Sequence, residues 1–104
     1  MAIYGNRNRA QNPGVVYGNG DFSYRLEQDW AKWPEDLKGC IAVCGCFDEQ
    51  DNLYVSTRGT NSPIVVFDAN GNYIKSLGQG LFSDNLHGLF VTPRNTLLCT
   101  DGNR

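Results

Sequence analysis

The chain has 104 residues, of which 40% are hydrophobic and 19% charged, and its formal net charge is -2 at pH 7. This length fits one small domain, and the composition is that of a folded protein rather than a disordered one. A sequence pI of about 5.1 gives no basic face, and no apolar run reaches the ~18 residues that cross a bilayer. We therefore expect neither nucleic acid nor a membrane as a partner.

The first forty residues contain few regular patterns. Residues 1–14 lack the apolar core of a signal peptide and are interpreted as an N-terminal tail. Residues 15–40 include VVYGNGDFSYRLEQDW, which offers one or two strands that could complete a sheet elsewhere. The helical candidate EQDWAKWPEDLK is short, and Pro34 interrupts it. We interpret residues 15–40 as a partial blade or closing segment of a β-sheet fold.

Residues 41–79 carry the clearest strand signals. Stretches rich in β-branched or aromatic residues are bounded by turn residues; they are IAVCGCF (41–47), NLYVSTR (52–58), PIVVFDA (63–69) and NYIKSLG (72–78). The pair Asn70-Gly71 predicts a two-residue hairpin turn in which both central residues take positive φ. The stretch DEQDN predicts another tight turn between the first two strands. Together these signals predict a four-stranded antiparallel meander.

The pattern then begins again. A shift of 43 residues places residues 41–59 on residues 84–102 and aligns five identities, namely Gly45 with Gly88, Phe47 with Phe90, Asn52 with Asn95, Thr57 with Thr100 and Gly59 with Gly102. Residues 80–104 hold two predicted strands, HGLFVT (87–92) and NTLLCTD (95–101). Four-stranded meanders that repeat every 40 to 45 residues are typical of β-propeller blades. We predict an all-β fold, a β-propeller fragment of about two blades, complete at 41–79 and half complete at 80–104.

Four cysteines raise the question of disulfides or metal. Cys44 and Cys46 alternate on one predicted strand and are poorly placed to bridge each other. The spacing from Cys40, and to the distant Cys99, does not match a zinc motif. We predict buried free thiols. Free thiols favour a reducing, cytoplasmic compartment, although the sequence does not establish the localisation.

Three polar residues have both a structural and a functional interpretation. His87, the single histidine, is either a structural side chain or one that points into a channel as a ligand. Arg58 is either a solvated charge at a strand end or a clamp for a carboxylate, because a guanidinium fork matches that group. Asp101 is expected to accept backbone N–H bonds in a turn or between blades.

The stretch YVSTRGTNSPIVVFDANGNYIKSLGQGLFSDNLHGLFVTPRNTLLCTD resembles the NHL-repeat six-bladed β-propellers. It looks most similar to the N-terminal blades of the peptidyl-α-hydroxyglycine α-amidating lyase family. The VFDANGN and TD elements are common to NHL repeats, whereas Arg58-Gly59 followed by His87-Gly88-Leu89 is more specific. The similarity covers roughly residues 15–104.

The resemblance implies roles for three residues. In the lyase family, a zinc ion on the propeller axis is held by three histidines from different blades, and His87 matches one of them. The carbonyl at the position of Leu89 helps bind a structural calcium ion, and the arginine at the position of Arg58 holds the substrate carboxylate. The resemblance therefore implies zinc and calcium as cofactors. This chain contains no counterpart of the other two histidines or of the catalytic tyrosine.

These observations favour a binding scaffold for a peptide, a small molecule or a protein that is not catalytic as a single chain. The alternative is a zinc-dependent C–N lyase acting on a peptidyl-hydroxyglycine-type substrate, so enzyme activity is left open. One complete blade and two partial ones do not close a ring. We expect the ring to be completed by copies of the chain, in a dimer or trimer, or by missing blades of a longer parent chain.

Overall fold

The computed structural model describes residues 14–103, so most of the predicted N-terminal tail lies outside the described residues. The chain separates into two compact units, and the division falls after Trp30. The described residues contain eight strands, β1 (Val16–Asn19), β2 (Phe22–Arg25), β3 (Ile41–Phe47), β4 (Leu53–Arg58), β5 (Ile64–Phe67), β6 (Tyr73–Leu77), β7 (Leu86–Val91) and β8 (Leu97–Asp101). The predicted all-β class is confirmed. In the described range, no helix is long and apolar enough to cross a membrane.

The first unit contains an antiparallel hairpin made of β1 and β2, in which Val16 pairs with Arg25 and Asn19 with Phe22. The turn between the strands includes Gly20, whose φ is 56°. All four residues of β2 are exposed. A two-stranded hairpin buries little apolar surface by itself, which explains why its large side chains remain in solvent.

The second unit is built on a four-stranded sheet in the order β3-β4-β5-β6, with every neighbouring pair antiparallel. The predicted meander is therefore confirmed. Strand β5 is buried along its whole length, from Ile64 to Phe67. Because successive side chains point to opposite faces, burial of all four residues means that both faces of the sheet are covered at β5.

Around Phe67, one face of the sheet is covered by the chain that precedes it. The Trp33 ring lies edge-on to Phe67, with ring centroids 4.9 Å apart, and the centroid of the Tyr73 ring lies 6.5 Å from that of Phe67. A three-residue 3-10 helix, Glu35–Leu37, follows Pro34 and buries Leu37. The helical candidate thus forms only this single turn, as the position of Pro34 predicts.

The turn at residues 68–72 differs from the prediction. The Gly71 N–H donates to the Asp68 carbonyl (3.0 Å), and the Asp68 N–H donates to the Asn72 carbonyl (2.8 Å). Gly71 has a φ of 80°, whereas Asn70 does not adopt a positive φ. The loop therefore has three residues, with a β-turn followed by one left-handed residue, rather than two residues that are both left-handed. Glycine supplies that conformation without a steric cost.

The predicted tight turn at residues 48–52 is confirmed, and its carboxylate holds it together. Asp48 Oδ1 accepts hydrogen bonds from the main-chain N–H groups of Gln50 (2.9 Å) and Asn52 (3.0 Å). The Tyr54 hydroxyl and the Asn52 side chain donate to Asp48 Oδ2. Asp68 Oδ1 makes the same pair of main-chain contacts in its own loop. Each aspartate thus replaces water for donors that the tight turn leaves unpaired.

These contacts predict that the folded state loses stability at acidic pH. Hydrogen bonds from the main chain and side chain of Asn72 lower the pKa of Asp68. Desolvation raises the pKa of Asp48, but the bonds from Asn52, Gln50 and Tyr54 outweigh it and the net pKa is lowered. A pKa lowered by folding contributes stability that is complete above the unfolded value of about 3.9 and is lost as the pH falls through the folded value.

We therefore expect the double change of Asp48→Asn and Asp68→Asn to reduce stability at neutral pH. The same change should make the melting temperature fall less steeply on acidification, because the variant lacks the two carboxylates whose protonation destabilises the folded state. Calorimetry from neutral pH to about pH 3 measures both effects. Parallel curves for the wild type and the variant would show that these two carboxylates do not cause the acid sensitivity.

Strands β7 and β8 repeat the geometry of β3 and β4. Leu89 pairs with Cys99 and Val91 with Leu97, as Gly45 pairs with Val55 and Phe47 with Leu53. The irregularity between Leu86 and Leu89 likewise matches the one between Ala42 and Cys44. The left-handed residues Asp51 (φ 61°) and Asn95 (φ 60°) occupy the same place in the two loops.

The equivalent positions of the two hairpins are 44 residues apart, whereas the identities in the sequence align at 43. Asn95 therefore corresponds to Asp51 rather than to Asn52. Asp and Asn both tolerate the left-handed conformation, so residue identity does not distinguish these two alignments. A shift of one residue exchanges the two faces of a strand, and only the pairing of the strands determines the register.

The β7–β8 hairpin packs against the face of the four-stranded sheet that lies opposite Phe67. A buried cluster of Ile64, Leu86 and Leu89 forms the centre of this contact. Partly buried side chains pack around it, among them Cys44, Cys46, Tyr54, Leu77, Phe82, Leu97 and Cys99. β7 lies next to β3 and β4. The outer face of the hairpin carries Phe90 and Leu98, which are 59% and 57% exposed.

Candidate functional site

Arg58 ends β4, at the point where the four-stranded sheet meets the start of β7. Its side chain is half-buried. The Arg58 Nη2 group donates to Asn85 Oδ1 at 3.0 Å, and Nε makes a longer contact of 3.4 Å to the Leu86 carbonyl. These two contacts hold the guanidinium group in one orientation at the end of the sheet.

The loop after Arg58 forms one wall of the site. The Thr57 hydroxyl donates to the Ser62 carbonyl (2.6 Å), and the Thr57 N–H donates to the Pro63 carbonyl (2.9 Å). The Ser62 N–H donates to Thr60 Oγ1 at 3.0 Å. Gly59 begins the loop with a φ of 77°. The loop therefore turns back on itself and presents its polar groups beside the guanidinium.

The loop before β7 forms the opposite wall, and Asp101 at the end of β8 holds it. The Ser83 N–H donates to Asp101 Oδ2 at 2.7 Å, and the Ser83 hydroxyl donates to Asp101 Oδ1. Ser83 Oγ in turn accepts the N–H of Asn85 (3.0 Å). Asp101 also accepts the N–H of Asn103 (3.0 Å). The prediction that Asp101 accepts backbone N–H bonds in a turn is confirmed.

Between these walls lies a cavity of about 340 Å³. Its lining combines the Arg58 guanidinium with hydroxyl, amide, aromatic and carboxylate groups, which come from Thr60, Asn61, Phe82, Ser83 and Asp84. A cavity with a few converging polar groups beside an apolar surface is the usual form of a small-ligand site. Its position at the end of the sheet is set by the two loops and not by the sheet alone.

The positive charge of Arg58 has neutral partners. Asn85 contributes an amide oxygen and Leu86 a main-chain carbonyl. The ion pairs found among residues 14–103 join Arg25 to Glu27 and Lys38 to Glu35, and none involves Arg58. A half-buried guanidinium whose hydrogen-bond partners in the described residues are neutral favours a carboxylate or phosphate group on a ligand.

His87 lies at the irregularity in β7, and its side chain is exposed. Its carbonyl accepts a hydrogen bond from the Ser56 hydroxyl at 2.8 Å. Because Arg58 contacts the residue before His87, the structure brings these two predicted site residues to neighbouring positions on β4 and β7. His87 does not line the Arg58 cavity.

The resemblance implies His87 as a zinc ligand and the Leu89 carbonyl as a calcium ligand, and both residues lie on β7. Within residues 14–103, no group of three His, Cys, Asp or Glu side chains could hold a metal ion. A zinc role for His87 stays a prediction, since the described residues bring no second and third ligand beside it. Leu89 is buried, and its side chain packs with Leu86 and Ile64 in the sheet contact. A calcium role for the Leu89 carbonyl stays a prediction.

The four cysteines are free and half-buried, so the predicted free thiols are confirmed, with partial rather than full burial. Burial raises the pKa of the Cys40 and Cys99 thiols. Burial and the neighbouring Cys44 raise the pKa of Cys46, against an opposing contact with the Val91 main chain. These raised values keep the three thiols protonated near neutral pH, which makes them poor nucleophiles.

Asn85 and Ser83 help to build the candidate site, and sequence reasoning missed them. The spacing Ser83-x-Asn85 is a signal for a local turn, because a serine hydroxyl often accepts the N–H two residues later. The other partners, Asp101 and Arg58, lie 18 and 27 residues away from them along the chain. No local pattern connects residues so far apart.

We compared the chain with known protein-family models, with curated protein sequences and with solved structures, and none of them matches it.

Proposed function

We propose that this chain is part of an NHL-type β-propeller and acts as a binding scaffold for a ligand that carries a carboxylate, which Arg58 holds. One observation carries the proposal: the half-buried Arg58 guanidinium has neutral partners and lines a cavity of about 340 Å³. A carboxylate accepts two parallel N–H bonds from a guanidinium, which makes this pairing both strong and directional.

The architecture supports the propeller part of the proposal. A four-stranded antiparallel meander is followed by a hairpin that repeats its first two strands in register. The hairpin lies face-to-face with the sheet, and its first strand is next to the first strands of the sheet. Face-to-face packing of successive meanders is the arrangement of propeller blades.

The lining of the cavity narrows the class of ligand. Thr60, Asn61 and Ser83 offer hydroxyl and amide groups that suit a peptide bond. Asp84 adds a negative charge, which disfavours a ligand with several anionic groups and suits an amine or hydroxyl donor. The Phe82 ring supplies an apolar contact. A short peptide or acylated amino acid with a free carboxylate matches this set of groups.

The lyase-type alternative stays a prediction. A three-histidine site needs two more imidazoles than the single one in this sequence. We therefore assign binding rather than catalysis to the chain, with Arg58 as the residue that contacts the ligand.

The proposal predicts that short N-acetylated peptides with a free carboxylate bind, whereas their C-terminal amides do not. NMR titration should shift the main-chain signals of Gly59, Thr60 and Ser83. The change of Arg58→Gln should weaken binding by about 10- to 100-fold, because a charge-assisted bond contributes about 1.5–3 kcal/mol. Arg58→Lys should recover part of the affinity, since lysine keeps the charge but not the fork.

Arg94→Gln is the matched control, because this arginine is exposed in the loop between β7 and β8 and does not line the cavity. It should leave the affinity unchanged. Equal binding of carboxylates and amides would contradict the proposal, as would equal losses in the Arg58 and Arg94 variants.

A further inference from the structure

The second unit has two exposed apolar surfaces, one on the β7–β8 hairpin and one on the four-stranded sheet. The hairpin face consists of Phe90 and Leu98, which pair with each other on the side of β7–β8 that points away from the sheet. The sheet face lies on β3, where Ala42, Gly45 and Phe47 are all exposed. Phe47 is 59% exposed. It pairs with Leu53, and both lie on the side of the sheet opposite the hairpin.

The contact inside the chain shows what each surface can bind. By register, Phe90 and Leu98 correspond to Cys46 and Tyr54, and those two residues are covered by the hairpin. The exposed β3 residues Gly45 and Phe47 correspond to Leu89 and Val91 of the strand that does the covering. The hairpin face is thus equivalent to the face of the sheet that the hairpin covers, and the sheet face is equivalent to the strand that covers it.

We propose that the hairpin face of one copy of this chain packs against the sheet face of a second copy, repeating the contact between the four-stranded sheet and the hairpin. The residues that define the two surfaces are uncharged, so their contact removes apolar groups from water; the carboxylates of Asp48 and Glu49 lie beside Phe47 and Phe90 at the rim. Within the chain, the single strand β7 covers β3 and β4. In the proposed contact, β3 of the second copy takes the place of β7 and covers β7 and β8 of the first copy.

This association joins two different surfaces. A dimer therefore still has one free hairpin face and one free sheet face, to which further copies can bind. Such head-to-tail contacts close into a ring when the rotation allows it and otherwise extend into filaments. The inference deepens the propeller part of the proposed function and rests on the repeat in register. It does not require that the Arg58 cavity holds a ligand.

The test uses two variants that each block one surface. Phe90→Asp removes the hairpin face and keeps the sheet face, whereas Phe47→Asp does the reverse. Size-exclusion chromatography with light scattering should show an assembly of at least two copies for the wild type and a monomer for each variant. An equimolar mixture of the two variants should form a dimer of one copy of each, because the intact sheet face of one meets the intact hairpin face of the other.

Leu81→Asp is the matched control, since Leu81 is exposed in a loop outside both surfaces; it should assemble like the wild type. Circular dichroism checks that each variant is folded, and Leu98→Asp replaces Phe90→Asp if that variant unfolds. A monomeric wild type overturns the inference, and so does a mixture that stays monomeric. Peptide titration of the Phe90→Asp monomer, whose Arg58 cavity is intact, tests the ligand proposal separately.

Discussion

The change of Phe67→Ala is expected to lower the free energy of unfolding by about 3–5 kcal/mol, the usual loss for removing a fully buried aromatic ring. Phe67 has 0% exposure, and its ring centroid lies 4.9 Å from that of Trp33 and 6.5 Å from that of Tyr73. The substitution leaves a cavity and also removes the contact that holds the preceding segment on the sheet. Urea denaturation of wild type and variant, followed by tryptophan fluorescence, measures the difference.

Phe22→Ala provides the matched control for this prediction. Phe22 lies in β2 and is 73% exposed, so its loss should change stability by no more than about 0.5 kcal/mol. If Phe67→Ala cost as little as Phe22→Ala, the packing of Trp33 on the sheet would contribute nothing to stability. In that case residues 31–40 would not be part of the folded core.

The change of Leu86→Ala should cost about 2–5 kcal/mol and should act on a different part of the unit. Leu86 is 1% exposed and belongs to the cluster that joins the β7–β8 hairpin to the sheet. Strand β5 keeps the cover that Trp33 provides on its other face. Hydrogen exchange should therefore show a larger loss of protection in β7 and β8 than in β5.

The control for this change is Leu98→Ala, on the outer face of the same hairpin. This side chain is largely exposed, and its truncation in the monomeric Phe47→Asp background should change stability little. An equal loss of protection in all strands of the Leu86 variant would contradict the prediction. It would mean that the hairpin and the sheet unfold as one cooperative unit.

The local chemistry of the sequence is sufficient to predict the strands. Each strand of the second unit combines β-branched or aromatic residues with turn residues at its ends, and these preferences operate over a few neighbouring positions. The same holds for the loop at residues 48–52, where the aspartate and the donors to it lie within seven residues. The meander follows, because short turns join neighbours in antiparallel pairs.

The type of the loop at residues 68–72 and the register between the two repeats could be determined only from the folded structure. Asn70-Gly71 is compatible with two kinds of hairpin loop, and the pairing of Phe67 with Tyr73 selects the three-residue form. The offset between the repeats is 44 rather than 43 because strand pairing depends on the packing of whole faces. Identities such as Gly45 with Gly88 carry no information about which face a side chain occupies.

The candidate site also combines one feature that the sequence predicts with others that only the folded structure shows. Residue type alone marks Arg58 as a candidate, since a guanidinium at a strand end suits a carboxylate. The sequence does not reveal that its partners are the neutral Asn85 and Leu86, or that Ser83 and Asp101 build the facing wall. His87 is equally conspicuous in the sequence, yet the fold leaves it exposed and without a second and third metal ligand in the described residues.

By itself, therefore, the sequence determined the all-β class, the order of the strands and the candidate arginine, because each depends on residues that are close together along the chain. Only the tertiary structure decided the register between the repeats, the neutral hydrogen-bond partners of Arg58 and the two exposed apolar faces. Those features depend on the pairing of β3 with β4 and of β7 with β8, and on the packing of β7 against β3 and β4, which are brought together only in the folded chain.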